Sequence, residues 1–554
     1  MRITDRSDLW WKTAVVYCLD VETYMDWNDD GYGDFEGLAH RLDHLSELGV
    51  TVIWLMPFQP TPDRDDGYDI TDFTNVDRRL GSLGDVAEFV RTARDRGMRV
   101  IIDFVMNHTS DRHPWFTSAR RSRTAPFRDF YVWVDEPPKQ QAQTVFPGEE
   151  DSVWEHDERT GQYYLHTFYG HQPDLNIANP AVRDEIAKTI GFWLELGVSG
   201  FRVDAVPFLI EPPVGVDIGD PHEFLRDIRR FLQRRSSEAV LLGEVNLPFD
   251  QQLEFFGRPG NPAELTMQFD FLGMQALYLS LAREDARPLA ASLAERPQLE
   301  PEAQWANFVR NHDELTLDKL TDAEREEVFE AFAPEEWMRV YGRGIVRRLP
   351  PMLEGDPRRI RMVYSLLFSL PGTPVLFYGE EIGMGENAAE RKRLAVRTPM
   401  QWTDEANGGF SRAAPRKLAS RPPTDGYAPE HVNVEAQRHD PDSLLGVIRG
   451  FAAVYRSSPE IGWGRFELLE HGQDAVLAHR ITADVGRFVA VHNFAAVPTV
   501  VTLELGEVAQ DSKLSDLFAV DAFDLDASGR IDVHLDAYGY RWFRIVEPDD
   551  RRLT

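Results

Sequence analysis

Cysteine is almost absent from this chain. Its single copy in 554 residues, Cys18, cannot close a disulfide within the chain, so no disulfide framework holds the fold. Long hydrophobic runs are missing as well: the best candidate, residues 363–377, is interrupted by Pro371, Gly372 and Pro374, and nothing reads as a membrane span of about eighteen or more apolar residues. The opening MRITDRSDLWW has arginines but no apolar signal core behind them. Positive charge is in deficit. Against 92 Asp and Glu there are 60 Lys and Arg, and the balance of −32 repels phosphate backbones and anionic lipid. These absences together predict a cytoplasmic protein without nucleic-acid or membrane partners. Low-complexity tracts and helical repeats are also lacking.

What is present is core material and a rhythm. Hydrophobic residues make up 42% of the chain, which includes 13 tryptophans, and the length suits two or three folded units. From residue 14 to about 380, short apolar runs alternate with helix-period segments, the signature of repeated βα units. Strands are expected at 14–19, 51–56, 99–106, 199–204, 239–244, 266–271, 306–310 and 373–378, the number that a closed parallel barrel needs. Amphipathic patterns at 35–49 and 181–197 end on Gly49 and Gly197, which fit helix C-caps.

Two gaps are too long for ordinary βα loops. Residues 109–179, rich in aromatics, form an insertion domain after the third strand, and residues 315–357 form a charged helical insertion after the seventh. Both are expected to overhang the barrel mouth. After about residue 460, runs such as AVLAHRIT, RFVAVHNF and YRWFRIV read as a β-sandwich. The predicted architecture is therefore an α/β (β/α)8 barrel over 1–108 and 180–460, an insertion domain over 109–179 and a C-terminal β-sandwich over 461–554. The sandwich could serve packing or contacts between copies of the chain.

Four segments, DFVMNH at 103–108, GFRVDAV at 200–206, LLGEVN at 241–246 and FVRNHDE at 308–314, end apolar runs in polar residues suited to catalysis. In a parallel barrel such ends converge on one mouth. Side chains two apart on a strand share a face, so Arg202 and Asp204 both point inward, and the arginine keeps the aspartate ionised as a nucleophile requires. Glu244 ends an apolar run, where partial burial holds it protonated as a general acid. Two carboxyls in opposite states, about 5–5.5 Å apart, make a retaining glycosidase pair. Asp313, beside His312, is the third carboxylate for gripping sugar hydroxyls; His108 offers another donor, and Asp103 would hold Arg202.

These segments resemble the alpha-amylase family, glycoside hydrolase family thirteen, and most closely its trehalose synthase branch. PFRDFYVW, HQPDLN, AVPFLIE, RNHDELTL, SLPGTPVLFYGEEIGMG, VRTPMQW and VNVEAQ follow that branch, while ENAAERKRLAVRT and GEVN depart from it. The resemblance implies Asp204 as nucleophile, Glu244 as acid/base and Asp313 as transition-state stabiliser, with Asp103, His108, Arg202 and His312 lining the sugar site. In similar exo-acting enzymes the residue at Asp65 pairs with one matching Arg397 and the residue at Tyr68 stacks on bound glucose, which walls off the pocket behind one sugar. Phe146, Phe168 and Gln172 match positions around the scissile bond, and Glu314 fits the branch pattern for gripping a second sugar. The implied reaction interconverts maltose and trehalose by intramolecular transfer with side hydrolysis. An exo-acting α-glucosidase and a non-catalytic sugar-binding relative are the alternatives.

No organic cofactor is expected. The loop DWNDDGYGD offers oxygens from Asp26, Asn28, Asp30, the Tyr32 carbonyl and Asp34, spaced like the first part of a calcium loop, although Gly37 stands where that motif places its bidentate Glu. Resemblance to trehalose synthases implies a second calcium at Asn107, Asp174, the carbonyls of Phe208 and Leu209, and Glu211. Either ion would be structural.

Overall fold

Strand-forming runs buried on both faces are what a parallel barrel requires, because helices cover its outside and side chains fill its inside. The computed structural model describes residues 9–139, 142–210, 220–258, 264–525 and 528–548. Its centre is a closed barrel of Val16–Leu19 (β1), Val52–Leu55 (β2), Arg99–Phe104 (β3), Gly200–Val203 (β4), Val240–Gly243 (β5), Met267–Phe269 (β6), Gln304–Phe308 (β7) and Thr373–Phe377 (β8). Each strand pairs in parallel with its neighbours in sequence, and β8 closes on β1. The (β/α)8 barrel, the two insertions and the C-terminal sheets thus have the predicted architecture. β7 begins two residues before the expected 306, because Gln304 and Trp305 also pair with β6.

The connecting helices carry the expected punctuation. Helix 42–48 ends at Gly49, which is left-handed with φ +91°, and Gly197 takes φ +100° just past helix 180–195. Ser82 and Asp85 form a reciprocal capping box at the start of helix 83–95. The lone thiol, Cys18, is buried on β1.

The insertion after β3 contains a three-stranded antiparallel sheet of 133–134, 162–165 and 154–157, packed on an aromatic cluster of Phe116, Tyr131, Trp133 and Tyr164. The insertion after β7 contains helix 322–332 and a small sheet of 315–316, 344–345 and 339–340. The two meet each other: Arg343 Nη2 donates to the Val145 carbonyl at 2.7 Å, and the hydroxyls of Tyr341 and Tyr169 lie 3.3 Å apart. At the C-terminus, a six-stranded antiparallel sheet beginning at Arg465 and a two-stranded sheet of 499–504 with 530–535 enclose their own apolar core. Trp542 Nε1 and His492 Nε2 both reach Ser365 Oγ at 2.8 Å, docking this unit on helix 357–369. Among the described residues, no helix is long and apolar enough to cross a membrane.

Candidate active site

Register brings the carboxylates together. Asp103 on β3 sits opposite Arg202 on β4, and Val203 opposite Gly243 on β5, so Asp204 and Glu244 emerge side by side one residue beyond their strands. One guanidinium then serves three acids. Arg202 Nη1 donates to Asp103 Oδ1 at 2.8 Å and to Asp204 Oδ1 at 2.6 Å, while Nη2 donates to Glu244 Oε2 at 2.5 Å. Its side chain is 1% exposed and lies over the Trp54 ring, 5.2 Å from the centroid. Burial works against that cation, but Asp103, Glu244, Tyr68 and Asp204 outweigh it and hold Arg202 charged.

The carboxyls are not equivalent. Burial pushes Asp204 up to about 6, with Arg202 opposing and Asp103 and Asp313 adding. Glu244 is pushed up to about 7, again chiefly by burial, with Arg202 opposing and Asp204 and Asp313 adding. At Asp313 burial is overcome by the guanidinium groups of Arg393, Arg397 and Arg202, which hold its carboxyl well below the usual range. The mouth therefore holds one proton-accepting acid, one firmly ionised acid and one between them.

Tyr68 organises the opposite wall. Its hydroxyl donates to Asp103 Oδ2 at 2.9 Å and lies 2.6 Å from His312 Nε2, and the two rings stack at 5.7 Å with an 8° tilt. With the single phenolic proton directed to Asp103, His312 Nε2 carries its own proton and donates to the tyrosine oxygen. Burial keeps His312 neutral, well below the ordinary histidine range. His312 Nε2 is also 3.2 Å from Asp313 Oδ2. Arg397 completes the wall: Nε donates to the His312 carbonyl at 2.8 Å, Nη2 to Asp313 Oδ1 at 2.9 Å, and Nη1 to Asp66.

The sequence matches the model of the alpha amylase catalytic domain over residues 21–333 and 347–464. The chain belongs to the alpha-amylase family. Residues 486–544 match the sucrose hydrolase-like C-terminal domain. The chain is 40% identical over 558 residues to a trehalose synthase of Pimelobacter sp., covering 98% of this chain and 96% of that protein. It is 40% identical over 548 residues to the trehalose synthase/amylase of Mycobacterium tuberculosis, covering 97% and 90%. The solved trehalulose synthase from Pseudomonas mesoacidophila MX-45 is similar with a TM-score of 0.74 at 25% identity, covering 97% of this chain and 99% of that one.

Within this alpha-amylase fold, two positions differ from the sequence reading. The arginine at 397 is ion-paired with Asp66 rather than Asp65. Asp66 and Gly67 are both left-handed, at φ +49° and +91°, and this tight turn places the second aspartate, not the first, against Arg397. Asp65 instead accepts from Gln172 Nε2 at 2.8 Å, and burial pushes it up to about 6. His108 does not offer a free donor: its Nε2 is spent on the Tyr68 carbonyl at 3.1 Å, and burial lowers the ring to about 4. It braces the tyrosine loop.

Phe146 and Phe168 lie on the insertion side, 6.0 Å apart, with Phe168 5.2 Å from His108 and 5.7 Å from Phe208. Glu314 Oε2 accepts from Arg393 Nε at 2.8 Å. Arg393 is a residue that sequence reasoning missed, together with Asp66, Tyr341 and Arg343. Lysine and arginine dominate its local run, RKR, and nothing in that run marks which one turns inward.

The expected metal ligands are arranged differently in the two places. In the loop, Asp26 accepts from Asp29 N, Gly31 N and Ser411 Oγ, Asn28 from Asp30 N, Asp30 from Tyr32 N, and Asp34 from Trp27 N, Asn28 N and Gly37 N. Among the described residues, no three His, Cys, Asp or Glu side chains gather into a ligand group. The loop is thus held by its own backbone amides and by the Ser411 hydroxyl. Asp174 is different: it accepts from Asn107 Nδ2 at 3.0 Å and from Thr167 N and Oγ1, all neutral, and burial pushes it up to about 7. Phe208 and Leu209 lie in the short helix 206–210. Glu211 lies outside the described residues.

Proposed function

We propose that this protein moves an α-glucosyl unit within a small α-glucoside with retention of configuration, interconverting maltose and trehalose and releasing some glucose to water. The observation that carries the reading is the Arg202 guanidinium shared by Asp103, Asp204 and Glu244, set in a chain 40% identical to trehalose synthases over nearly its full length. Asp204 attacks the anomeric carbon as Glu244 gives its proton to the departing oxygen, leaving a glucosyl ester on Asp204. A hydroxyl of the retained glucose then attacks that carbon, Glu244 takes its proton, and the ester bond breaks to restore the Asp204 carboxylate. Asp313, held ionised by Arg393, Arg397 and Arg202, accepts hydrogen bonds from sugar hydroxyls as positive charge develops on the ring. Asp103, His312, Tyr68, Asp65 and Arg397 shape the first sugar's pocket; Phe146, Phe168, Gln172 and Glu314 face the second. The setting is proposed to be cytoplasmic.

Incubation with maltose tests the reading directly. Trehalose should appear along with minor glucose, and trehalose should return maltose; glucose as the sole product at every time point would leave an α-glucosidase instead.

The pH profile follows from the two raised carboxyls. Activity needs Asp204 charged, a state lost as pH falls through about 6, and Glu244 protonated, a state lost as pH rises through about 7. A narrow bell in kcat/KM, highest between those values, is expected. In Glu244→Gln, assayed with an aryl α-glucoside whose leaving group needs no proton, the alkaline limb should vanish; its persistence would remove Glu244 from the acid role.

A structural calcium forms part of the same reading, with Asp174 and Asn107 and the carbonyls of Phe208 and Leu209 as its holders. A buried carboxyl ringed only by neutral donors fits a cation, which would restore its charge. The loop at 26–34 is the second candidate. A chelator should lower the thermal midpoint and added calcium should restore it, whereas an unchanged midpoint would take calcium out of the account.

A further inference from the structure

Arg393 joins more of the mouth than any step so far has used. Its Nη1 lies 3.0 Å from Asp313 Oδ1, and its Nη2 and Nε lie 2.7 Å and 2.8 Å from Glu314 Oε2. The guanidinium plane sits over two rings, 5.0 Å from Phe146 and 5.8 Å from Tyr341. These rings come from different insertions and contact each other at 4.9 Å. Beside it, Lys392 Nζ pairs with Glu149 at 2.6 Å, and Arg343, which is bonded to the Val145 carbonyl, approaches Glu314 Oε1 at 3.8 Å. Three segments distant in sequence, 145–149, 341–343 and 392–393, are therefore drawn together beside the acids, with Arg393 over the rings of two of them and Lys392 and Arg343 adding a further link each.

The consequences for an acceptor are chemical. Glu314 is 8% exposed, so it is removed from water, and its charge is matched by Arg393 rather than by solvent. The aromatic faces of Phe146 and Tyr341 cover the guanidinium on the same edge of the site and leave its side chain 20% exposed. An acceptor that reaches the glucosyl ester from this side passes two aromatic rings and a paired guanidinium rather than open solvent, a lining that favours a retained sugar over free water.

We infer that Arg393 is the positioning residue that decides between sugar and water as glucosyl acceptor, by holding Glu314 and Asp313 and sealing the second-sugar side of the site. The inference rests on the transfer reaction proposed above. In chemical terms, the glucosyl–Asp204 ester breaks in either case; with the seal intact the attacking hydroxyl belongs to a sugar, and with the seal lost it belongs to water, which leaves free glucose.

The test uses p-nitrophenyl α-glucoside as donor with added glucose, and reads the ratio of disaccharide formed to donor hydrolysed. This partition is internal to each turnover and does not depend on the overall rate. Arg393→Ala should lower it at least tenfold, and Arg393→Lys, which keeps the charge but not the two-pronged grip, should fall between the variant and the wild type. KM for maltose should rise more than KM for the aryl glucoside. An unchanged partition in Arg393→Ala, whatever its rate, overturns the inference and leaves a structural brace. Should that variant fail to fold, Arg393→Lys carries the decision, with at least a threefold fall expected and an unchanged ratio counting against. A wild type that makes no trehalose from maltose refutes the isomerase reading alone, because the aryl donor still reports the partition; a wild type that transfers nothing to glucose overturns both.

Discussion

Asp204→Ala should abolish turnover of maltose, trehalose and aryl α-glucosides alike, by at least about 10⁴-fold in kcat, because no other group can form the glucosyl ester. Loss of an activated substrate is the informative part, since a good leaving group bypasses the need for the acid but never the need for the nucleophile. The fold should survive. Arg202 is shared by three carboxylates, and deleting one relieves repulsion that burial magnifies, so the thermal midpoint should hold or rise. Product analysis and thermal unfolding of the same preparation separate the two effects. Retained hydrolysis of the aryl glucoside would sink the mechanism.

Arg202→Met has the opposite profile: a comparable loss of activity together with a large loss of stability. Removing that cation leaves Asp103, Asp204 and Glu244 without their shared partner in a largely buried site, a class of change that costs about 3–5 kcal/mol. The sign with pH distinguishes charge from packing. A carboxyl whose folded pKa is raised destabilises the fold when ionised, and that penalty disappears as pH falls through the raised value. Asp204 and Glu244 already sit near 6 and 7 with the arginine present, and its removal pushes both higher. The variant should therefore be far less stable than wild type at pH 8 and recover much of the difference at pH 5, as read by denaturant or thermal midpoints. An equal deficit at both would assign the cost to lost packing on Trp54.

The Asp66 pairing shows where sequence reasoning stops. RDDGY offers two adjacent carboxylates, and which of them reaches Arg397 depends on the sign of one φ angle in a turn that any short polar run allows. His108 teaches the same lesson from another direction: the residue type promised a donor, but its Nε2 is consumed by a backbone carbonyl 40 positions away. Arg393 had no local mark at all, because its meaning comes from Asp313 and Glu314, some eighty residues earlier, and from two rings on separate insertions.

The barrel, by contrast, was legible. Buried parallel strands write their apolar runs directly into the chain, and the polar residues that end them mark the mouth, so the sequence by itself determined the architecture and the set of candidate acids. Those signals are local and periodic. What only the tertiary structure decided was pairing and protonation: one arginine for three carboxylates, a carboxyl that keeps its proton beside one that cannot, and a seal built from three distant loops. Burial and Coulomb fields depend on everything within several ångströms in space, and no stretch of sequence carries that neighbourhood with it.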